Sequence, residues 1–154
     1  MNITVRRLEP GDESLARTVA RGSKHADISA SYAGTFLANS SNYLIVGEAA
    51  GELAGFLLAY RLDRINRPTG QLFVYEVAVN PSHRQQGVGT ALMQFARSVI
   101  EQERMTEAFT ITSRDNEAAI ALYSGTGAEL EDDRGMLFVY PGAAGGDHSG
   151  EGRE

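Results

Sequence analysis

Residues 84–90 read Arg-Gln-Gln-Gly-Val-Gly-Thr and open onto Val88, Leu92, Phe95 and Val99, an apolar series at helical spacing. A helix start leaves its first N–H groups without backbone partners and carries the positive end of the dipole. If the preceding turn also aims its amides inward, it forms a nest for an anion. Gly87 and Gly89 keep side chains away from such an anion, and Arg84 adds a full positive charge. Arg84, Gln85, Gln86, Gly87, Val88, Gly89 and Thr90 together therefore suit capture of a phosphate group. The alternative is a structural glycine turn that binds nothing.

Two common phosphate loops are excluded by the residues that follow. A Walker A loop needs Lys and then Ser or Thr after its last glycine, whereas Thr90 and Ala91 follow Gly89. A dinucleotide fingerprint needs a small third residue near the first strand. Here Leu92 holds that position, and the turn follows the fourth expected strand.

A second chemical feature is Glu76, set between Tyr75 and Val77 in an apolar strand. A carboxylate is costly to bury idly, so Glu76 is a candidate general base or anchor for a cation. A solvent-facing glutamate paired with an arginine is the plainer alternative. Glu129, Glu131, Asp132 and Asp133 form an acidic cluster, with Asp27 in the irregular N-terminal half. These are substrate contacts for a cation or simply a solvated turn. Tyr32, Tyr60 and Tyr75 either line an acceptor pocket or belong to the core.

The elements that must hold these residues are legible from periodicity. Ile3 to Leu8 alternates as a half-buried strand, and Pro10-Gly11-Asp12 turns into a helix with Asp12 at its N-cap. Tyr32, Phe36 and Leu37 mark a second helix ending near Asn39. Tyr43 to Glu48 and Leu53 to Leu62, joined by Ala49-Ala50-Gly51-Glu52, make a hairpin. A polar loop, 63–70, leads to the strand Leu72 to Val79, stopped by Asn80-Pro81. After the helix from Val88 come a short strand from Ala108 to Thr112, a helix from Asn116 to Ser124 and a last strand from Met136 to Tyr140. The Gly-rich stretch 141–154 is expected to be a disordered tail. This order implies an α/β (α+β) fold, one domain over 1–140 around a single sheet.

The bulk composition bounds the function. The chain has 154 residues, 42% hydrophobic and 22% charged, with no cysteine. That excludes disulfides, thiolate metal sites and a cysteine nucleophile. His25, His83 and His148 show no ligand spacing, so no metal is expected. No apolar run approaches a membrane span, and a cytoplasmic location is the default. A formal charge of −6 disfavours nucleic acid and anionic membranes as partners, and suits a cationic substrate.

The motif Arg84-Gln85-Gln86-Gly87-Val88-Gly89 resembles the Arg/Gln-x-x-Gly-x-Gly/Ala signature of the GNAT superfamily of acetyl-CoA-dependent N-acetyltransferases. Asn116-Glu117-Ala118-Ala119-Ile120-Ala121-Leu122-Tyr123, followed by Gly127, is similar to the second signature of that family. The ordered pair covers roughly residues 1–140 with the element order. Gly55 to Tyr60, Val74 to Val79 and His83-Arg84 look most like the type I class of aminoglycoside 3-N-acetyltransferases.

The resemblance implies a GNAT-like fold, a mixed and mainly antiparallel sheet flanked by helices. It implies that residues 84–90 hold the pyrophosphate of coenzyme A, with Asn116 and Ala119 nearby. Val77, Ala78 and Val79 would pair with pantetheine, and a backbone N–H freed by a bulge or splay there would face the reacting carbonyl. Glu76 would take the proton of the amine and Tyr123 would protonate the leaving thiolate. The acceptor expected is a small cationic amine, foremost the 3-amino group of an aminoglycoside, with Asp27, Tyr32, Tyr75, Glu76, Glu129 and Asp132 as contacts. A protein N-terminus, a lysine or a polyamine is the alternative acceptor, and a non-catalytic acyl-CoA-binding module the alternative class. The resemblance also implies a homodimer.

Overall fold

The structure, a computed structural model, describes residues 2–131 and 135–144. Its elements are β1 (Ile3–Arg7), α1 (Glu13–Gly22), α2 (Ala30–Ala38), β2 (Asn42–Ala49), β3 (Glu52–Asp63) and β4 (Gly70–Val79). A 3-10 turn, Pro81–His83, precedes α3 (Val88–Gln102), β5 (Ala108–Thr110) and α4 (Glu117–Gly125). One sheet in the order β1-β2-β3-β4-β5 joins all five strands. Every pairing is antiparallel except that of β4 with β5. This is the single-sheet α/β fold that the element order implies, with the mixed, mainly antiparallel pairing that the resemblance implies.

The hairpin between β2 and β3 has a local cause. Ala50 and Gly51 both take positive φ, 53° and 77°, as a two-residue type I′ turn requires. β2 is apolar almost throughout, because both of its faces are covered. Tyr43 and Ile45 enter a core with Val88, Leu92, Ala96 and Val99 of α3. Leu44 and Val46 enter a second core with Ala16 and Val19 of α1 and Ala33 and Leu37 of α2. The sheet is thus the middle of three layers, and any site in β4 can be reached from two chemically distinct faces.

β4 carries the irregularity that matters most. Leu58 pairs with Glu76 and Ala59 with Val74, so Tyr75 is an extra residue, a β-bulge. The bulge explains the apolar pattern of the strand. Leu72 and Val74 face the α3 core, and after the extra residue Val77 and Val79 face it again. Glu76 turns to the opposite face, under α1 and α2.

Two sequence expectations change here. Met136 to Tyr140 is not a strand; its five residues are between 46% and 94% exposed and pair with no strand among the described residues. The run has strong β-propensity, but a strand exists only where an edge accepts its hydrogen bonds. Asp12 does precede α1, yet its carboxylate makes no cap bond to that helix. It accepts instead from the Glu9 N–H at 2.8 Å and from Arg6 at 3.2 and 3.4 Å. The Glu9 N–H and then Arg6 hold the Asp12 carboxyl below its ordinary range. The expected disordered tail falls largely on 145–154, outside the described residues.

Candidate active site at the open edge of β4

β5 pairs with β4 only over Leu72, Phe73 and Val74. Beyond that point β4 runs on for five residues with no strand on its outer side among the described residues. Hydrogen bonds fix which backbone groups face that opening. Leu72 donates to Glu107 on the β5 side, whereas Asn80 donates to Ala54 on the β3 side. Alternate residues of a strand face opposite sides, so 72 and 80 would match were Tyr75 not interposed. After the bulge the backbones of Val77 and Val79 therefore face the open edge, while that of Ala78 faces β3. The splay expected of this strand is present, with its bulge at Tyr75 rather than within Val77–Val79.

The glycine turn lies just past this edge. Gly87 is the N-cap of α3 with φ 85°, and no side chain caps the helix. Gln85 is also left-handed, at φ 60°. Two left-handed residues two apart generate the alternating backbone of an anion nest. The uncapped N–H groups of Val88, Gly89 and Thr90 extend it, and Arg84 is exposed beside it.

The two glycines have separate local reasons. Gly87 needs its left-handed φ, and a Cβ there would meet nothing nearer than Ile3 at 4.0 Å. At Gly89 a Cβ would come within 3.3 Å of both Cδ atoms of Leu122 and 3.8 Å of Val79. Gly89 thus lets α4 close against the start of α3. That packing is a task of Gly89 apart from keeping side chains away from an anion. Val88 offers its backbone alone, since its side chain is buried in the core.

On the other face of β4, Glu76 is half-buried and accepts from Ser23 Oγ at 3.0 Å through Oε1 and 3.4 Å through Oε2. Ser23 is the residue at which α1 ends. Glu76 forms the one acidic wall of a cavity of about 200 Å³. Its other walls are mainly apolar: Ala20 and Ile28 near α1, Tyr32 and Phe36 of α2, and Phe56 and Leu58 of β3. Tyr75 packs edge-on against Tyr60 and Phe73, with ring centroids 5.7 Å apart in each pair. Burial pushes the Tyr60 hydroxyl above its ordinary value, and Tyr75, Tyr32 and Glu76 push it the same way. Tyr32 lines the cavity with Glu76, whereas Tyr60 and Tyr75 do not; one carboxylate in an apolar cavity suits one cationic amine on an apolar body.

Tyr123 lies on the opposite face, buried in the α3 core against which Val77 and Val79 pack. Its hydroxyl donates to no group among the described residues. Glu76 and Tyr123 thus lie on opposite faces of the sheet. Asn116 is the N-cap of α4, its Oδ1 accepting from the Ala119 N–H at 3.0 Å. That gives both residues a structural task.

The expected acidic contacts do not converge on Glu76. Asp27 is exposed, 3.9 Å from Arg17 and 4.0 Å from Arg21, and Glu129 is exposed beyond α4. Neither lines the cavity. Asp132 and Asp133 fall outside the described residues. Ser23 was missed by sequence reasoning, because nothing local to a serine at a helix end points to a carboxylate 53 residues away.

A family model described as the acetyltransferase (GNAT) family matches residues 12–128. The chain belongs to this family. Among relatives, an L-2,4-diaminobutyric acid acetyltransferase of Nocardia farcinica is 32% identical over 127 residues, covering 78% of this chain and 63% of that protein. N-acetyltransferase family 8 member 3 of Rattus norvegicus is 27% identical over 105 residues, covering 68% and 46%. The chain thus spans less than two thirds of the length of either relative. Among solved structures, an aminoglycoside acetyltransferase from an uncultured soil metagenomic sample, in complex with sisomicin, has a TM-score of 0.82 at 19% identity. That match covers 90% of this chain and 95% of the other. A second soil metagenomic aminoglycoside acetyltransferase has a TM-score of 0.78 at 24% identity, covering 91% and 100%. At such identities the structural likeness speaks for the GNAT fold.

GNAT acetyltransferases use acetyl-CoA, and the residues present fit that cosubstrate on their own geometry. The uncapped nest at 84–90 suits its pyrophosphate. The outward backbones of Val77 and Val79 offer a thin polar chain the hydrogen bonds of a strand. When bound, the cosubstrate supplies an acyl group activated as a thioester.

Proposed function

We propose that the chain transfers the acetyl group of acetyl-CoA to a primary amine of a small acceptor. The observation that carries this reading is Glu76 beside the bulge, held by Ser23 in the wall of a mainly apolar cavity. A protonated amine enters the cavity and is held by the Glu76 carboxylate. Glu76 takes its proton, directly or through water, and the free amine attacks the thioester carbonyl. Tyr123, on the far face, returns a proton to the thiolate that leaves. The backbone of Val77 holds the reacting arm in place.

The cavity favours an acceptor with one cationic amine and a compact apolar body. A second reading, an aminoglycoside acetylated at its 3-amino group, draws support from the formal charge of −6 and from the aminoglycoside acetyltransferases of the same fold. In that reading only the reacting amine enters the cavity and the sugar rings lie outside it.

Thiol release from acetyl-CoA, screened over arylalkylamines, branched alkylamines, diamino acids, polyamines, peptides and aminoglycosides, tests both. Turnover highest with apolar monoamines supports the first reading, and turnover confined to aminoglycosides the second. Silence across the panel with intact coenzyme binding would leave an acyl-CoA-binding module in their place.

A further inference from the structure

Lys24 is the only lysine among the 14 lysine and arginine side chains of the sequence. The distinction is chemical. A guanidinium is not deprotonated in proteins, whereas a lysine amine that loses its proton is a nucleophile. Apart from an α-amine, Lys24 is therefore the one nucleophilic amine in the sequence.

This amine stands at the rim of the cavity that Glu76 lines. Ser23 and Ala26 both line that cavity, and Lys24 and His25 are the exposed residues between them. Ser23 is also the residue that donates to Glu76, at 3.0 Å. Lys24 and His25 take left-handed φ values of 60° and 54°, a conformation uncommon outside glycine that clusters at functional sites. The Ala26 N–H closes the turn by donating to the Ala20 carbonyl at 3.2 Å. Arg17 and Arg21 share Asp27, whereas Lys24 has no ion-pair partner among the described residues.

Covalent geometry bounds the distance from Lys24 to the carboxylate. Adjacent Cα atoms are about 3.8 Å apart, and the Ser23 side chain with its hydrogen bond spans at most about 5.4 Å more. Lys24 Cα therefore lies within about 9 Å of the Glu76 carboxylate. An extended lysine carries Nζ about 6 Å from its Cα, and a hydrogen bond bridges about 3 Å more. The amine reaches the base.

We propose that Lys24 is an acetyl acceptor for its own active site, so that the chain acetylates itself there when no external amine fills the cavity; this rests on the acetyl-transfer reading. The Lys24 ammonium gives one proton to Glu76, and the neutral nitrogen attacks the thioester carbonyl carbon. The N–C bond forms and the C–S bond breaks. The departing thiolate takes up one of the two protons that the nitrogen loses, and the other passes to solvent. A neutral amide is left at the cavity rim.

The test incubates the protein with acetyl-CoA and no added amine, then maps a tryptic digest by mass spectrometry. Trypsin cuts after lysine but not after its amide, so the product is one acetyl group on an uncut peptide 22–61. Labelling is expected at a rate independent of protein concentration, and Lys24→Arg abolishes it. Glu76→Gln, checked for folding by circular dichroism, slows it about a hundredfold. A second measurement needs no variant: an external amine that is turned over slows labelling of the unmodified chain. Equal labelling in Glu76→Gln, a rate that rises with protein concentration, or no protection by such an amine overturns the proposal. Turnover of external amines with no acetyl group on Lys24 overturns it too, while leaving the acetyl-transfer reading standing. Absence of both removes the two together.

Discussion

The hydrogen bond between Ser23 and Glu76 can be tested by substitution at both ends. It is charge-assisted and half-buried, 3.0 Å from Oγ to the nearer carboxylate oxygen. Such bonds contribute about 1.5–3 kcal/mol net, and half-exposure puts this one at the lower end, about 1.5 kcal/mol. If the bond serves to aim the carboxylate, Ser23→Ala loses that amount from the transition state, roughly a tenfold drop in kcat for the amine. The KM for acetyl-CoA stays as it was, because Ser23 lies on the face of β4 away from the glycine turn. Ser23→Thr keeps the hydroxyl and restores most of the rate.

Glu76→Gln removes the proton acceptor itself, and a general base contributes about 10²–10⁴-fold. Once that is gone, Ser23 has nothing left to aim. The double variant should therefore be no slower than Glu76→Gln alone, a coupling of about 1.5 kcal/mol. The assay is steady-state thiol release at saturating acetyl-CoA, with melting temperature measured on each variant to separate folding from chemistry. Additive losses in the double variant, or an unchanged kcat in Ser23→Ala, would refute the positioning role. An unchanged rate in Glu76→Gln would remove the base.

Two further expectations follow from single residues. Gly87→Ala meets no neighbour, so its cost is the left-handed φ alone, about 1 kcal/mol or a melting point lower by about 2–4 °C; calorimetry checks this, and an unchanged melting point would show that the strain is absent. Asp12 is held below its ordinary range, so its contribution to stability is complete above pH of about 4 and fades as pH falls through its lowered pKa; the difference in melting temperature between wild type and Asp12→Asn should accordingly be present at pH 6 and shrink below pH of about 4.

How much of this was legible in the sequence depends on how local each cause is. Elements set by periodicity and turn chemistry, such as the β2–β3 hairpin and α3, follow from the residues that form them. The glycine turn at 84–90 was legible because its amides are consecutive in the chain. The acceptor cavity was not, since its walls come from α1, α2, β3 and β4, and each wall residue alone reads as ordinary core. Met136 to Tyr140 was misread for a related reason. Propensity is local, but a strand needs an edge from elsewhere.

The position of the bulge is written in the spacing of β4. The branched aliphatic residues of β4 are Leu72, Val74, Val77 and Val79, spaced two, three and two. A strand alternates with period two, so the single interval of three counts one residue too many for one face. That residue decides whether the site exists, and its removal is the sharpest test of the architecture. Deleting Tyr75 would let Val74 and Glu76 pair with Ala59 and Leu58 as they do now, and would keep the same apolar residues on the α3 face. The edge contacts of Tyr75 with Tyr60 and Phe73 are lost, about 0.5–1.5 kcal/mol each, so the variant should fold with modestly lower stability. Without the extra twist, β4 runs straight, and β5 can extend its pairing past Val74 along the edge that Val77 and Val79 now leave free. Isothermal titration with coenzyme A should then show affinity lost while the circular dichroism spectrum stays native. Native affinity in a folded variant would mean that the open edge does not depend on the bulge.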